Sequence, residues 1–202
     1  MGKTFDTTPI SIKSYFEEIV GIISDNLSTD TDFSEDIPQV SFKHGTWADI
    51  CNELMNDNVD PNKKSIKYPL ICLIYNTNEK YLDRRHNSFE VDLLICTNSD
   101  RNLTNDRRYE DKYDTILMPI YAELKAVLSN YKKFIGYNQR FEHTKTDLPK
   151  AGSESGDQKG TNLADIIDGI YLKACRFIAA NDLLDYTAPN LCELTSCPYG
   201  ID

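Results

Sequence analysis

The chain has 202 residues, room for one domain and too few for two large ones. Its composition of 40% apolar, 27% charged and 10% aromatic residues is ordinary for a globular protein, and no apolar run approaches the ~18 residues of a membrane span. The formal charge of −10 argues against duplex DNA or an anionic membrane as a tight partner, because phosphate binding needs clustered Lys and Arg.

The acidic residues are dispersed rather than gathered into a tail, and a negative wall would still let DNA pass without sticking. Twelve tyrosines stand against one Trp. Tyr suits core edges first and interfaces second, since its ring is covered while its hydroxyl stays bonded. The six cysteines (Cys51, Cys72, Cys96, Cys175, Cys192, Cys197) are read as free thiols, because the opening residues lack a signal-peptide core and the expected compartment is intracellular.

In chain order, Thr8-Pro9 starts an amphipathic helix over about 10–27, with Ile12, Tyr15, Phe16, Ile19, Ile22, Ile23 and Leu27 as its stripe. Residues 28–38 form a polar loop, and Gln39–Lys43 a short strand. Thr46 caps a second helix whose buried face is Trp47, Ile50, Cys51, Leu54 and Met55. Residues 56–67 are a polar connector with a turn at Asp60-Pro61. Tyr68–Tyr75 and Ser88–Thr97 are the clearest strand pair, joined as a long protruding hairpin. The first of them is apolar at nearly every position, which predicts cover on both faces.

After a loop at 98–106, the longest helix runs over 107–130 and buries Tyr113, Ile116, Leu117, Ile120, Tyr121, Leu124, Val127 and Leu128. Pro119 should kink or split it near Met118. Phe134–Tyr137 reads as a strand and 142–160 as a loop with little to bury. Residues 165–179 support a helix through Ile166, Ile170, Ala174 and Phe177, or a strand through Ile167, Tyr171, Cys175 and Phe177. Gly169 disfavours the helix, so a strand over 168–179 is expected. Residues 1–180 form one domain, followed by an extended arm over 181–202.

No motif for chemistry is complete. Gly2-Lys3-Thr4 copies the end of a phosphate-binding loop without its strand or upstream glycine, and Asp6 stands where a myristoylation signal needs Ser or Thr. His44, His86 and His143 are isolated in or beside loops, and no Cys or His pair has zinc-ligand spacing. Nothing resembles a nucleophile elbow. Glu90-Val91-Asp92-Leu93-Leu94 is similar to the metal-binding strand of restriction-endonuclease-like nucleases, but the E-x-K that should follow is missing. Strand alternation offers a plainer account: Glu90 and Asp92 face solvent while Phe89, Val91, Leu93 and Ile95 face the core. No catalytic residue, metal site or cofactor is therefore expected.

The order of elements carries a resemblance. A helix precedes PQVSFKHGTW and ADICNELM. A Y-P-L-I-C-L-I strand then leads through a long-looped hairpin to FEVDLLICT. An R-x-Y-x-x-x-Y-D-x-I-L-x-P-I-Y-x-E-L helix and a late DGIYLKACRFI strand follow. Over about residues 8–180 this resembles the tail-terminator and neck (head–tail completion) proteins of tailed bacteriophages, closest to ring proteins of crAss-like phages. The resemblance implies an α/β (α+β) fold with a central, mainly antiparallel sheet flanked by helices. It also implies a six- or twelve-fold homo-oligomeric ring in the virion neck or tail, made in the bacterial host cytoplasm. The ring's partners would be portal, neck and tail proteins, with genomic DNA passing through the lumen and no membrane contact.

Expected inter-subunit contacts are Tyr81, Arg84, Arg85, Arg107, Arg108, Tyr109, Leu191 and Tyr199. Arg beside Tyr is a typical interface composition, and hairpins and arms can reach a neighbour. The rival readings are a magnesium-dependent nuclease using Glu90 and Asp92, and a monomeric adaptor of the host.

Overall fold

The computed structural model describes residues 12–33, 35–37, 39–81, 86–100, 102–137, 142–148 and 167–180. Six strands make one sheet: β1 (Ser41–Gly45), β2 (Leu70–Tyr81), β3 (His86–Asn98), β4 (Phe134–Tyr137), β5 (Glu142–Leu148) and β6 (Ile167–Ala180). Their order is β1-β2-β3-β6-β4, with β5 sharing the β4 side of β6. Among the described residues, β1 and β2 pair in parallel and the other pairings are antiparallel. Helices lie on both faces, as expected of this α+β class.

One face is covered by α1 (Ile12–Thr29) and by a long helix from Asn105 to Asn130. Under them Ile71, Leu73, Val91, Leu93, Ile95, Ile170, Leu172 and Phe177 form the main core. The opposite face carries α2 (Trp47–Asp57), whose Ile50 and Leu54 pack on Leu70, Cys72, Leu94 and Cys96. Successive residues of β2 thus enter opposite cores, and Leu70, Ile71, Cys72 and Leu73 are all fully buried. The near-continuous apolar run meant what it usually means, a strand covered on two sides.

The helix α1 keeps its expected stripe except at one position. Ile22 is 36% exposed, whereas Val20 is 2% exposed. At ~100° per residue the buried arc runs from Tyr15 through Ile19, Ile23 and Phe16 to Val20, and Ile22 falls just beyond its Tyr15 edge. From α1, Glu18 accepts hydrogen bonds from Lys133 Nζ (2.6 Å) and Tyr131 Oη (2.8 Å), tying the helix to the chain just past the long helix. Those two bonds, Lys133 first, hold the Glu18 carboxyl below its ordinary range. Close by, Phe134 meets Phe177 at 4.9 Å and Tyr131 at 5.1 Å between ring centroids, joining β4, β6 and the helix layer.

Several expectations are corrected. The connector after α2 is not only a turn: Asp60 caps a helix α3 (Pro61–Ile66) and Pro61 opens it, a start signal read too cautiously. The β2–β3 hairpin does not protrude: its strands run on to Tyr81 and back from His86, and β6 pairs with β3 over that whole length, Ala180 opposite His86. The first part of the expected loop at 142–160 is β5, whose polar residues pair with β6 along its backbone. His44, His86 and His143 all lie within strands rather than loops. Thr8-Pro9, residues 149–160 and the arm at 181–202 lie outside the described residues.

The long helix has three parts: α4 (Asn105–Arg108), a π-helical segment Tyr109–Leu117, and α5 (Met118–Asn130). Pro119 stands at the start of α5, where the wide π-turns end. Proline has no N–H for the ladder and its ring collides with the carbonyl four residues back. A π-turn ahead of it widens that spacing, so the helix changes pitch there instead of breaking.

Candidate functional site

Glu90 and Asp92 share one side of β3, with Phe89, Val91, Leu93 and Ile95 buried on the other, as strand alternation requires. Opposite Asp92 the register of β6 slips, because two residues of β6 stand against one of β3. The slip is a β-bulge in which Ala174 takes a positive φ of 51°. The Asp92 carboxylate holds it. Its Oδ1 accepts from the Ala174 N–H at 2.8 Å and its Oδ2 from the Tyr171 hydroxyl at 2.8 Å. Burial, and next the bond to Asp92, raises the Tyr171 hydroxyl well above the ordinary tyrosine range. Glu90 pairs with Arg176 at 3.1 Å on a largely exposed surface. The motif that looked like half of a metal site is thus engaged in shaping β6.

A second polar cluster was not anticipated. Asp168, at the start of β6, is fully buried beneath the long helix. Its Oδ2 accepts from the Ser99 hydroxyl and lies 3.5 Å from Arg108 Nε. Next to it, the Tyr113 hydroxyl points at the Gly169 carbonyl at 3.4 Å. The sequence held a signal for this, a lone carboxylate opening an apolar strand, DGIYLKACRFI. A buried charge needs a partner, but the sequence does not say which cation supplies it.

Of the expected contact residues, Arg108 turns its guanidinium inward to Asp168. Arg107 and Tyr109 face outward, and Tyr109, 47% exposed, stacks on Tyr113 at 5.8 Å. Tyr81 ends β2 on the hairpin. Arg84, Arg85, Leu191 and Tyr199 lie outside the described residues, so the structure unites only the members at the start of the long helix.

Thiols occupy both cores. Cys51, Cys72 and Cys96 meet under α2, while Cys175 sits under α1 and the long helix; all four are free and buried. Burial pushes Cys51 up to about 11 and Cys175 up to about 12, and raises Cys72 well above the ordinary thiol range. Such thiols are packing groups, not nucleophiles. Among the described residues, no group of three or more His, Cys, Asp and Glu side chains is placed to hold a metal ion. An open concavity of about 620 Å³ is lined by Asn98, Ser99, Asp100, Asn102, Leu103, Asp111 and Lys112. A smaller one of about 410 Å³ lies at His44, Asp49 and Glu53. Both are open hollows without a buried, convergent set of groups. Among the described residues, no helix is long and apolar enough to cross a membrane.

Comparison with protein-family models, curated proteins and solved structures found no match to this chain.

Proposed function

We propose that this chain is a structural virion protein, a subunit of a closed ring in the neck or tail of a tailed bacteriophage. The ring joins the portal to the tail and lets DNA pass. The observation that carries the reading is where the chemistry-bearing side chains are engaged. Asp92 clamps a bulge, Asp168 pairs with Arg108 and Ser99, and the described thiols are core. Among the described residues, Tyr109 beside Arg107 stays exposed at the start of the long helix, a composition suited to touching proteins. The resemblance in element order to neck and tail-terminator proteins supports the same reading. The net charge of −10 suits a lumen through which DNA slides.

Light scattering coupled to size exclusion, followed by electron microscopy, tests the proposal. Closed rings of fixed mass, formed by the chain alone or on a portal, are expected. A chain that stays monomeric in both settings overturns it. Magnesium-dependent DNA cleavage that disappears in Asp92→Asn would overturn it in favour of the nuclease.

A further inference from the structure

We infer that the surface of α3 is a docking site for the acidic segment 181–202 of a second copy of this chain. The inference rests on the reading that copies of the chain bind one another.

The helix α3 buries none of its own side chains, yet it is tightly held. Asp60 caps its start, accepting from Asn62 N at 3.0 Å, and the Ser41 hydroxyl of β1 donates to the Ile66 carbonyl at its end. This rigid platform displays Val59, 83% exposed, and Ile66, 49% exposed, with Lys63 and Lys64 exposed between them. Val59, just ahead of the Asp60 cap, and Ile66, at the end of α3, are two large apolar side chains shown to water within eight residues, with two exposed lysines between them. Because this surface is preformed, a partner would not have to order it.

Residues 181–202 have the complementary composition. They hold four carboxylates (Asp182, Asp185, Glu193, Asp202), no Lys or Arg, and four leucines. Position then selects a second copy. The segment leaves β6 at Ala180, which pairs with His86, whereas α3 leads into Leu70, which pairs with Cys96. That separation is ~33 Å along β3 and ~14 Å across the sheet from β6 to β1. Within one chain, roughly eleven of the segment's 22 residues would be consumed crossing the sheet. Donor and acceptor at opposite corners of a subunit instead suit a head-to-tail contact. Contacts of that type are heterologous, and they close into rings when the rotation permits.

Complementation in the full-length chain tests this. Val59→Asp with Ile66→Asp spoils the acceptor, and Leu191→Asp with Leu194→Asp spoils the donor. Each alone should weaken self-association about 30-fold or more. Circular dichroism checks that each variant remains folded, and the acceptor positions are exposed. Mixed, the two variants should form a one-to-one dimer that grows no further, because one intact donor meets one intact acceptor. Wild-type assemblies that both variants leave unchanged would overturn the docking while sparing the ring. A wild-type chain that never self-associates, alone or on a portal, would remove the ring reading and the docking with it. If the wild type assembles but the mixed variants form no dimer, the segment binds elsewhere, within its own chain included, and the docking site is wrong.

Discussion

Asp92 accepts the backbone N–H of Ala174, and with it holds a non-glycine residue in left-handed backbone. Left-handed geometry costs an L-residue about 1–2 kcal/mol, which the clamp offsets. Asp92→Ala should therefore destabilise the fold by about 2 kcal/mol and Tyr171→Phe by about 1 kcal/mol, read from urea unfolding midpoints. An unchanged midpoint in Asp92→Ala would show that the carboxylate does not hold the bulge. The buried thiols make a second prediction. Their folded pKa values are raised above that of an unfolded cysteine, so neutral thiols are favoured in the fold. Their stabilising effect is complete below the unfolded value near ~8.5 and is lost as pH climbs through the folded values. For Cys51 and Cys175 those lie at about 11 and about 12. Unfolding free energy should fall above pH ~8.5 by ~1.4 kcal/mol per unit for each thiol, and Cys51→Ala should flatten that slope.

Among elements, β6 shows why one stretch of sequence supported two readings. Ile170 and Leu172 enter the main core at even positions, but Cys175, Phe177 and Ala179 enter it at odd ones. The bulge at Ala174 resets the phase, so neither a pure two-residue nor a pure helical period fits the whole strand. Gly169 was evidence against a helix, and the structure gives it a further duty. A Cβ there would lie 2.9 Å from the Ile95 carbonyl oxygen and 2.9 Å from Leu94 Cδ1. The backbone of β3 cannot retreat without opening the sheet, so Gly169→Ala should cost about 2–3 kcal/mol or more by thermal or urea unfolding. Wild-type stability in that variant would mean that the strands separate easily at this end. The strand β5 was missed because its residues are polar, and what pairs it is backbone along β6 rather than a buried side-chain pattern.

At the scale of the whole molecule, one sheet face is closed by α1 and the long helix, while α2 spans only part of the other. Beyond α2 that second face carries Glu90, Lys173 and Arg176, a polar surface content in water. The patch on α3 differs because it is apolar and basic on an acidic chain. Contacts made there by exposed charges are screened within ~10 Å at 0.1 M salt. If acidic segments dock on α3, self-association should weaken between low and high salt, and Lys63→Glu with Lys64→Glu should both reduce it and abolish that dependence. Salt-independent assembly, measured by light scattering, would remove the electrostatic part of the contact.

What the sequence determined by itself was local. The stripes of α1 and the long helix, the Thr46 cap, and the apolar run of β2 follow from side-chain spacing and backbone chemistry, which act within a few residues. The absence of a complete catalytic motif belongs there too, since each near miss lacked a named part. Only the tertiary structure decided what distance along the chain conceals. It brought Asp168 to Arg108 and Ser99, set the phase of β6 through a bulge held from β3, and paired polar β5 with its neighbour. Each of these depends on a partner tens of residues away, and nothing in the spacing of either partner announces the other.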